Sequence, residues 1–277
     1  MILNKKIQHI EFCPFIDTEK IIIESIKDNL DSISDEYELM PYPLAHWINT
    51  RNVDNVNYIL SILNTDKKRV FICQHNFVEK LKFKSTDLVF TPHSSESDNF
   101  ISIPHISINW NKEYIKNEKN FKFSFLGSSK THWTRKGLID LYPDNCFDSG
   151  QYWGLDKNMT KEFNDKYIKM IGDSYFSLCP RGTGISTVRL FESIYMNSIP
   201  VIIADGYKKP MSDIINWDEF SITIKEKDID KIAEIIKSVS DEEIAKKQER
   251  LKFISDNYIN NNIIDIILKK LKDKNEK

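Results

Sequence analysis

The chain has 277 residues, 40% of them hydrophobic and 29% charged, with a formal net charge of -2. That length is long for one domain and natural for two of moderate size, each able to bury its own core. The near-neutral balance excludes the broad basic surface that grips nucleic acid without sequence preference, so no nucleic-acid partner is expected.

In chain order, Lys6 to Phe15 is apolar and reads as a strand. Asp17-Thr18 opens a helix to about Leu30, with Ile21, Ile22, Ser25, Ile26 and Leu30 on its inner face. Tyr37 to Tyr42 reads as a strand stopped by Pro41 and Pro43, and Asp54 to Leu63 as a helix. Arg69 to Cys73, Asp87 to Phe90 and Ile101 to Ile108 follow as strands. Alternation of this kind predicts a mostly parallel sheet with helices on both faces. The polar, lysine-rich stretch from Asn111 to Asn120 reads as a linker. Beyond it come strand 122–126, helices 134–142 and 159–172, strand 175–179, helix 186–197, strands 199–203 and 221–224, and helix 227–239. Helices from Asp241 onward close the chain, and the charged tail after Lys269 is expected to fray. The expected domains are thus 1–115 and 116–277, the second including the closing helices.

Cys13, Cys73 and Cys179 lie in apolar runs, Cys146 stands apart, and no C-x-x-C pair occurs, so free thiols in a reducing compartment are the simpler reading. No apolar run approaches the length of a membrane span, and the start Met1-Ile2-Leu3-Asn4-Lys5-Lys6 lacks a signal-peptide core. The expectation is a cytoplasmic protein without a transmembrane segment, peripheral membrane contact being left open.

One segment is denser in chemical information than the rest. Tyr175 to Cys179 reads as a buried strand, Arg181-Gly182-Thr183-Gly184 as a turn, and a helix is expected to start near Ser186 or Thr187. That helix carries Arg189, Glu192 and Ser193 within one turn, and Ile199 to Ile203 is a second buried strand. Strand, glycine turn, helix, strand is a parallel βαβ unit, and a helix start beside a glycine turn suits a phosphate. Two arginines and a carboxylate on one unit point to a ligand bearing both phosphate and hydroxyl groups, as a nucleotide sugar does.

The order Arg181-Gly182-Thr183-Gly184, Thr187, Arg189, Glu192, Ile199-Pro200-Val201-Ile202 and Asp205 resembles the exostosin family of glycosyltransferases. The likeness continues through Lys209-Pro210-Met211-Ser212-Asp213-Ile214-Ile215-Asn216-Trp217 and reaches back to Phe123-Ser124-Phe125-Leu126-Gly127-Ser128 and Arg135. It implies the GT-B architecture, an α/β fold of two Rossmann-like domains facing across a cleft. It also implies an inverting transfer of sugar from a nucleotide sugar to a hydroxyl of a glycan acceptor. A UDP-linked donor is the leading expectation, with GDP-linked fucose, or a nucleotide-sugar- or glycan-binding protein without catalysis, as alternatives.

On that resemblance the donor-binding set is Gly127, Ser128, Arg135, Arg181, Gly182, Gly184, Ser186, Thr187, Arg189 and Glu192. Arg181 follows directly from a strand, where its fork can hold a diphosphate. Arg189 either reaches the same phosphates or pairs with Glu192 or Asp205. A carboxylate such as Glu192 can accept from vicinal ribose hydroxyls, and Ser186 and Thr187 can serve phosphate or cap the helix. An inverting transfer needs a general base, expected in the first domain at predicted strand ends; the candidates are His93, His75, Asp17 and His46. His9 and His105 look like strand residues and rank lower. The only Asp-x-Asp worth weighing, Asp228-Ile229-Asp230, opens a helix after the last predicted strand and reads as a cap. No metal site and no cofactor are expected beyond the nucleotide-sugar co-substrate, arginines and a helix dipole supplying the positive charge.

Overall fold

The computed structural model describes residues 14–30, 36–94, 99–106, 110–150, 157–259 and 263–275. It divides into two units. One holds Met1–Ile108, Gly206–Met211 and Tyr258–Lys277, the other Asn109–Asp205 and Ser212–Asn257. The first break thus lies a few residues before the boundary read from sequence, and the closing segment goes with the first unit.

Among the described residues of the first unit, β1 (Tyr37–Leu39), β2 (Lys68–Ile72), β3 (Leu88–Thr91) and β4 (Phe100–Ser102) form a sheet in that order, every pair parallel. Helices α1 (Pro14–Leu30), α2 (Leu44–Thr50) and α3 (Val53–Ile62) connect and cover them. Side chains alternate across a strand, so Val70, Ile72 and Phe90 pack with Ile22 and Ile26 of α1. Phe71, Cys73 and Val89 pack on the other side with Leu44, Ile48, Val56 and Leu60. A parallel sheet buried on both faces explains why these strands are apolar throughout. The C-terminal helix Ile263–Asn275 adds Ile263, Ile267 and Leu271 to the α1 side of this core. That burial is why it belongs to the first unit, and why the chain past Lys269 stays helical where fraying was expected.

Two other expectations change here. Residues 1–13 lie outside the described residues, and from Pro14 the backbone is already helical, so the expected strand to Phe15 does not extend that far. Residues 44–50, given no element in the sequence reading, form α2, whose Leu44, Ala45 and Ile48 are buried.

Glu19 on α1 is buried beneath the start of α2. Its Oε1 accepts from Ala45 N–H at 2.9 Å and its Oε2 from Gln74 N–H at 3.0 Å. Burial pushes its carboxyl up to about 8, although those two N–H groups pull the other way. A carboxyl raised in the folded state stabilises below its unfolded value and loses that contribution as pH rises through the folded one. Denaturant unfolding from pH 5 to 9 is therefore expected to show stability falling up to about pH 8, with the slope reduced in Glu19→Gln.

In the second unit, β5 (Phe121–Gly127), β6 (Cys146–Asp148), β7 (Ser174–Pro180), β8 (Ile199–Ile203) and β9 (Ile222–Thr223) pair in the order β6-β5-β7-β8-β9, again all parallel. The helices are α4 (Trp133–Leu141), α5 (Lys157–Gly172), α6 (Arg189–Tyr195), α7 (Ile232–Ser238) and α8 (Asp241–Asn257). Strand β6 has only three residues and was not foreseen. The expected linker is instead packed. Lys116 and Asn120 bond Asp173, each at 2.8 Å, and Lys119 donates to the carbonyls of Gly172 and Asn197, each at 3.0 Å. Cys73, Cys146 and Cys179 are buried free thiols, whereas Cys13 lies outside the described residues. Among the described residues, no helix is long and apolar enough to cross a membrane.

Candidate functional site

Ligands in open parallel sheets bind beyond the carboxyl ends of the strands. In the second unit those ends are Gly127 of β5, Asp148 of β6, Pro180 of β7, Ile203 of β8 and Thr223 of β9. The register Leu178↔Val201 to Pro180↔Ile203, followed by Arg181 N–H donating to Ile203 O at 2.9 Å, fixes where the Arg181 turn leaves the sheet.

Three arginines converge here and do different things. Arg135 of α4 is engaged with the turn backbone: Nε donates to Arg181 O at 2.9 Å and Nη2 to Pro180 O at 3.3 Å. Gly182 makes room for it, because a Cβ at 182 would lie 3.0 Å from Arg135 Nη2. Arg189 of α6 is buried, only 7% exposed. It donates to Leu126 O, to Leu178 O at 3.4 Å and to the Tyr167 hydroxyl at 3.3 Å, and lies 4.3 Å from the Phe125 ring centroid. A Cβ on Gly127 would come within 3.0 Å of Arg189 Nη2, so this glycine admits the second guanidinium. Arg181 differs from both. Its Nε is buried yet has no hydrogen-bond partner among the described residues.

Glu192 is also turned inward, 5% exposed, and accepts from the Tyr167 hydroxyl. Burial raises its carboxyl to about 7, against the pull of Tyr167 and Arg189. The structure therefore places Arg189 and Glu192 inside the unit rather than on its ligand-facing edge. The helix expected from Ser186 or Thr187 begins at Arg189, with Val188 in the N-cap position. Ser186 is buried and Thr187 half-buried in the preceding turn. Gly182 and Gly184 lie in that same turn, and Ser128 Oγ accepts from Lys130 N–H at 3.4 Å in the loop after β5.

Several residues at this edge carried no motif. His132 is the N-cap of α4, its Nδ1 2.9 Å from Thr134 Oγ1 and its Nε2 3.8 Å from Glu226 Oε2. Burial lowers the imidazole below its ordinary value; Glu226 opposes this, while Arg181 and Arg135 add to it. Glu226 and Asp205 clamp the loops after β8 and β9: Asp205 N–H donates to Glu226 Oε1 at 3.0 Å and Glu226 N–H to Asp205 Oδ1 at 3.2 Å. Asp148 accepts from Ser129 Oγ at 2.5 Å. A histidine just ahead of a helix, two residues before a threonine, was the available signal for the first of these. Asp228, weighed as half of an Asp-x-Asp, accepts from Lys231 Nζ at 2.6 Å on an exposed turn. Among the described residues, no group of three or more metal-ligating side chains occurs.

The base candidates all belong to the first unit, and the described contacts do not bring them together. Asp17 lies in the first turn of α1, not after a strand, and its side chain is outside the described residues. His46 is exposed in the middle of α2, likewise not at a strand end. His75 does follow β2, but both its nitrogens are engaged. Nδ1 accepts from Phe77 N–H at 3.0 Å and Nε2 lies 3.1 Å from Asn49 Oδ1. Burial lowers it to about 4, so it is neutral near pH 7. His93 is buried after β3, its ring edge-on to His105 at 4.9 Å. His9 lies outside the described residues.

Residues 45–239 match the exostosin GT47 domain. A probable glycosyltransferase of Arabidopsis thaliana is 31% identical over 121 residues, 44% of this chain and 23% of that protein. An exostosin-1 homolog of Caenorhabditis elegans is 22% identical over 234 residues, 71% of this chain and 61% of that protein. A probable glucuronoxylan glucuronosyltransferase of Arabidopsis thaliana is 26% identical over 179 residues, 59% and 38% respectively. The chain thus spans less than two thirds of each of these relatives. Among solved structures, a glycosyltransferase of Rickettsia africae aligns over 93% of this chain and 80% of its own, with 14% identity and a TM-score of 0.45.

Proposed function

Starting from a chain that belongs to the exostosin GT47 family, we propose that it transfers a sugar from a UDP-linked donor to a glycan hydroxyl, with inversion and without a metal ion. The observation that carries this reading is Arg181. It leaves the sheet at the carboxyl end of β7, and its Nε is buried without a partner among the described residues. Arg135, by contrast, donates to the backbone of that same turn. A diphosphate at this turn would give the Arg181 guanidinium charge-assisted bonds. As the glycosyl bond breaks, charge builds on the leaving nucleotide, and a fixed cation there lowers the barrier. Inversion rests on the family resemblance. For the acceptor proton the candidates are His93 and His75, as read from the sequence, and His75 would first have to release Phe77 N–H.

The test is a panel of UDP- and GDP-linked sugars given to the wild-type chain with short glycan acceptors, with and without EDTA. The expected result is transfer from a UDP-sugar, unchanged by chelator, with the product anomer inverted by NMR. Donor preference for GDP-linked sugars, or loss in EDTA restored by manganese, contradicts the corresponding part. The engaged state of His75 favours one further reading, a nucleotide-sugar-binding protein without catalysis. Donor binding with neither transfer nor hydrolysis would establish it.

A further inference from the structure

We propose that Arg189, Tyr167 and Glu192 act as one positioning unit that holds the two ligand-facing loops of the second unit in mutual register, and do not themselves touch the donor; its catalytic consequence rests on the function proposed above. Arg189 reaches carbonyls on two neighbouring strands. Leu126 O precedes Gly127 and the loop to α4, and Leu178 O lies three residues before Arg181. One guanidinium therefore ties the base of one loop to the base of the other. Its remaining Nε–H donates to the Tyr167 hydroxyl, which in turn donates to Glu192. The result is a directed chain from cation to carboxylate through one phenol.

The packing leaves this chain little freedom. The guanidinium lies 4.3 Å from the Phe125 centroid and 5.1 Å from that of Tyr167. Every residue of α6, from Arg189 to Tyr195, is buried. A helix buried all round has no ligand-facing side on which to present a carboxylate, and its charged residues must find internal partners. The titratable groups facing Arg189 are Tyr167 from α5, Glu192 from α6 itself, Cys179 from β7 and Cys146 from β6. Burial pushes both thiols up, to about 11 and about 12, so neither supplies a negative charge near neutrality. Among the described residues Glu192 is then the one carboxyl beside Arg189, and burial keeps it from ionising fully until about pH 7. Lysine at 189 has no planar fork to serve two carbonyls and a phenol together, and phenylalanine at 167 breaks the chain at its middle.

The test is hydrogen exchange of the 277-residue chain, corrected for intrinsic rates, in the wild type, Tyr167→Phe, Arg189→Lys and Glu192→Gln from pH 5 to 8.5. UDP titration of the same samples serves as a second reading. Positioning predicts that Tyr167→Phe and Arg189→Lys lose protection at 127–132 and at 181–184 together, by about tenfold or more. The core strand β8 should stay protected. Opening that exposes Glu192 lowers its raised carboxyl toward the ordinary value, so wild-type protection should fall as pH rises toward about 7. Glu192→Gln should remove that pH dependence. UDP affinity should drop in Tyr167→Phe, although the hydroxyl never meets the nucleotide. Unchanged protection of both loops in Tyr167→Phe overturns the proposal. So does loss of UDP binding in Glu192→Gln with both loops still protected, since that marks a direct ligand. Loosened loops in a protein whose wild type ignores UDP leave the positioning unit standing and remove the nucleotide reading instead.

Discussion

Arg181→Ala is expected to abolish most turnover while the protein remains folded. The side chain leaves the sheet at a strand end and its Nε has no partner among the described residues, so removing it forfeits no described hydrogen bond at that atom. The fold at this turn is held by backbone and by Arg135, through Arg181 N–H to Ile203 O and Arg135 Nε to Arg181 O, both at 2.9 Å. Neither bond needs the Arg181 side chain. The missing diphosphate contact should cost about 2–4 kcal/mol of transition-state stabilisation, a fall of roughly 30- to 1000-fold in kcat/KM. The melting temperature should stay close to that of the wild type. Near-native turnover at low donor concentration would remove Arg181 from the phosphate site.

Asp87→Ala should produce the opposite pattern, a large loss of stability far from any proposed chemistry. Arg69 and Asp87 are both buried in the first unit and meet in a two-pronged pair, Nε to Oδ1 at 2.7 Å and Nη2 to Oδ2 at 2.6 Å. Arg69 Nη1 also donates to Leu60 O and Leu63 O, each at 2.9 Å, and Asp87 accepts from Lys84 N–H at 2.7 Å. The pair therefore pins the end of α3 and the turn before β3 onto β2. Deleting the carboxylate leaves a buried guanidinium uncompensated, which costs about 3–5 kcal/mol. Replacing both partners with apolar residues of similar volume should recover much of that loss. Urea unfolding of the single and double variants measures both. A single variant within about 1 kcal/mol of the wild type would show that the pair carries little of the first unit's stability.

Much of the architecture can be read from the chain because apolar period and punctuation agree there. Strand β8 runs over the predicted 199–203, β7 extends its predicted range by one residue at each end, and α5 starts two residues early and stops where predicted. Short elements escaped. Strand β6 is three residues beside β5, too short for a periodic pattern, and α2 lies behind Pro41 and Pro43, which read as strand stops. The C-terminal helix shows its amphipathic face in sequence, but nothing in that pattern says which unit's core receives it.

The candidate site divides along the same line. Chemical type was legible in the arginines, glycines, hydroxyls and carboxylate of one βαβ segment. Direction was not. Arg189 and Glu192 are three residues apart, a spacing that puts them on one helix face without saying which way the face turns. The clue available was their neighbours. Leu190, Phe191, Ile194 and Tyr195 surround them with apolar bulk, a helix interior on all sides, so the two charges had to face inward partners. Tyr167 lies more than twenty positions upstream of Arg189, and only tertiary structure brings it there. The two glycines show the reverse case. Gly127 and Gly182 stood out as turn residues, and their absent side chains prove to be the space that Arg189 and Arg135 occupy.

The central claim is that the carboxyl edge of the second unit's sheet holds a uridine diphosphate group through Arg181. It is tested most directly by melting the wild-type chain across a concentration series of UDP, with GDP, uridine and inorganic phosphate alongside. A ligand that binds only the native state stabilises it by RT ln(1 + [L]/Kd), about 2.7 kcal/mol at a hundredfold excess over Kd. The account predicts a saturable rise in melting temperature with UDP, a smaller one with GDP, and little with uridine or phosphate alone. A flat response to both nucleoside diphosphates, or an equal rise with uridine, would contradict it.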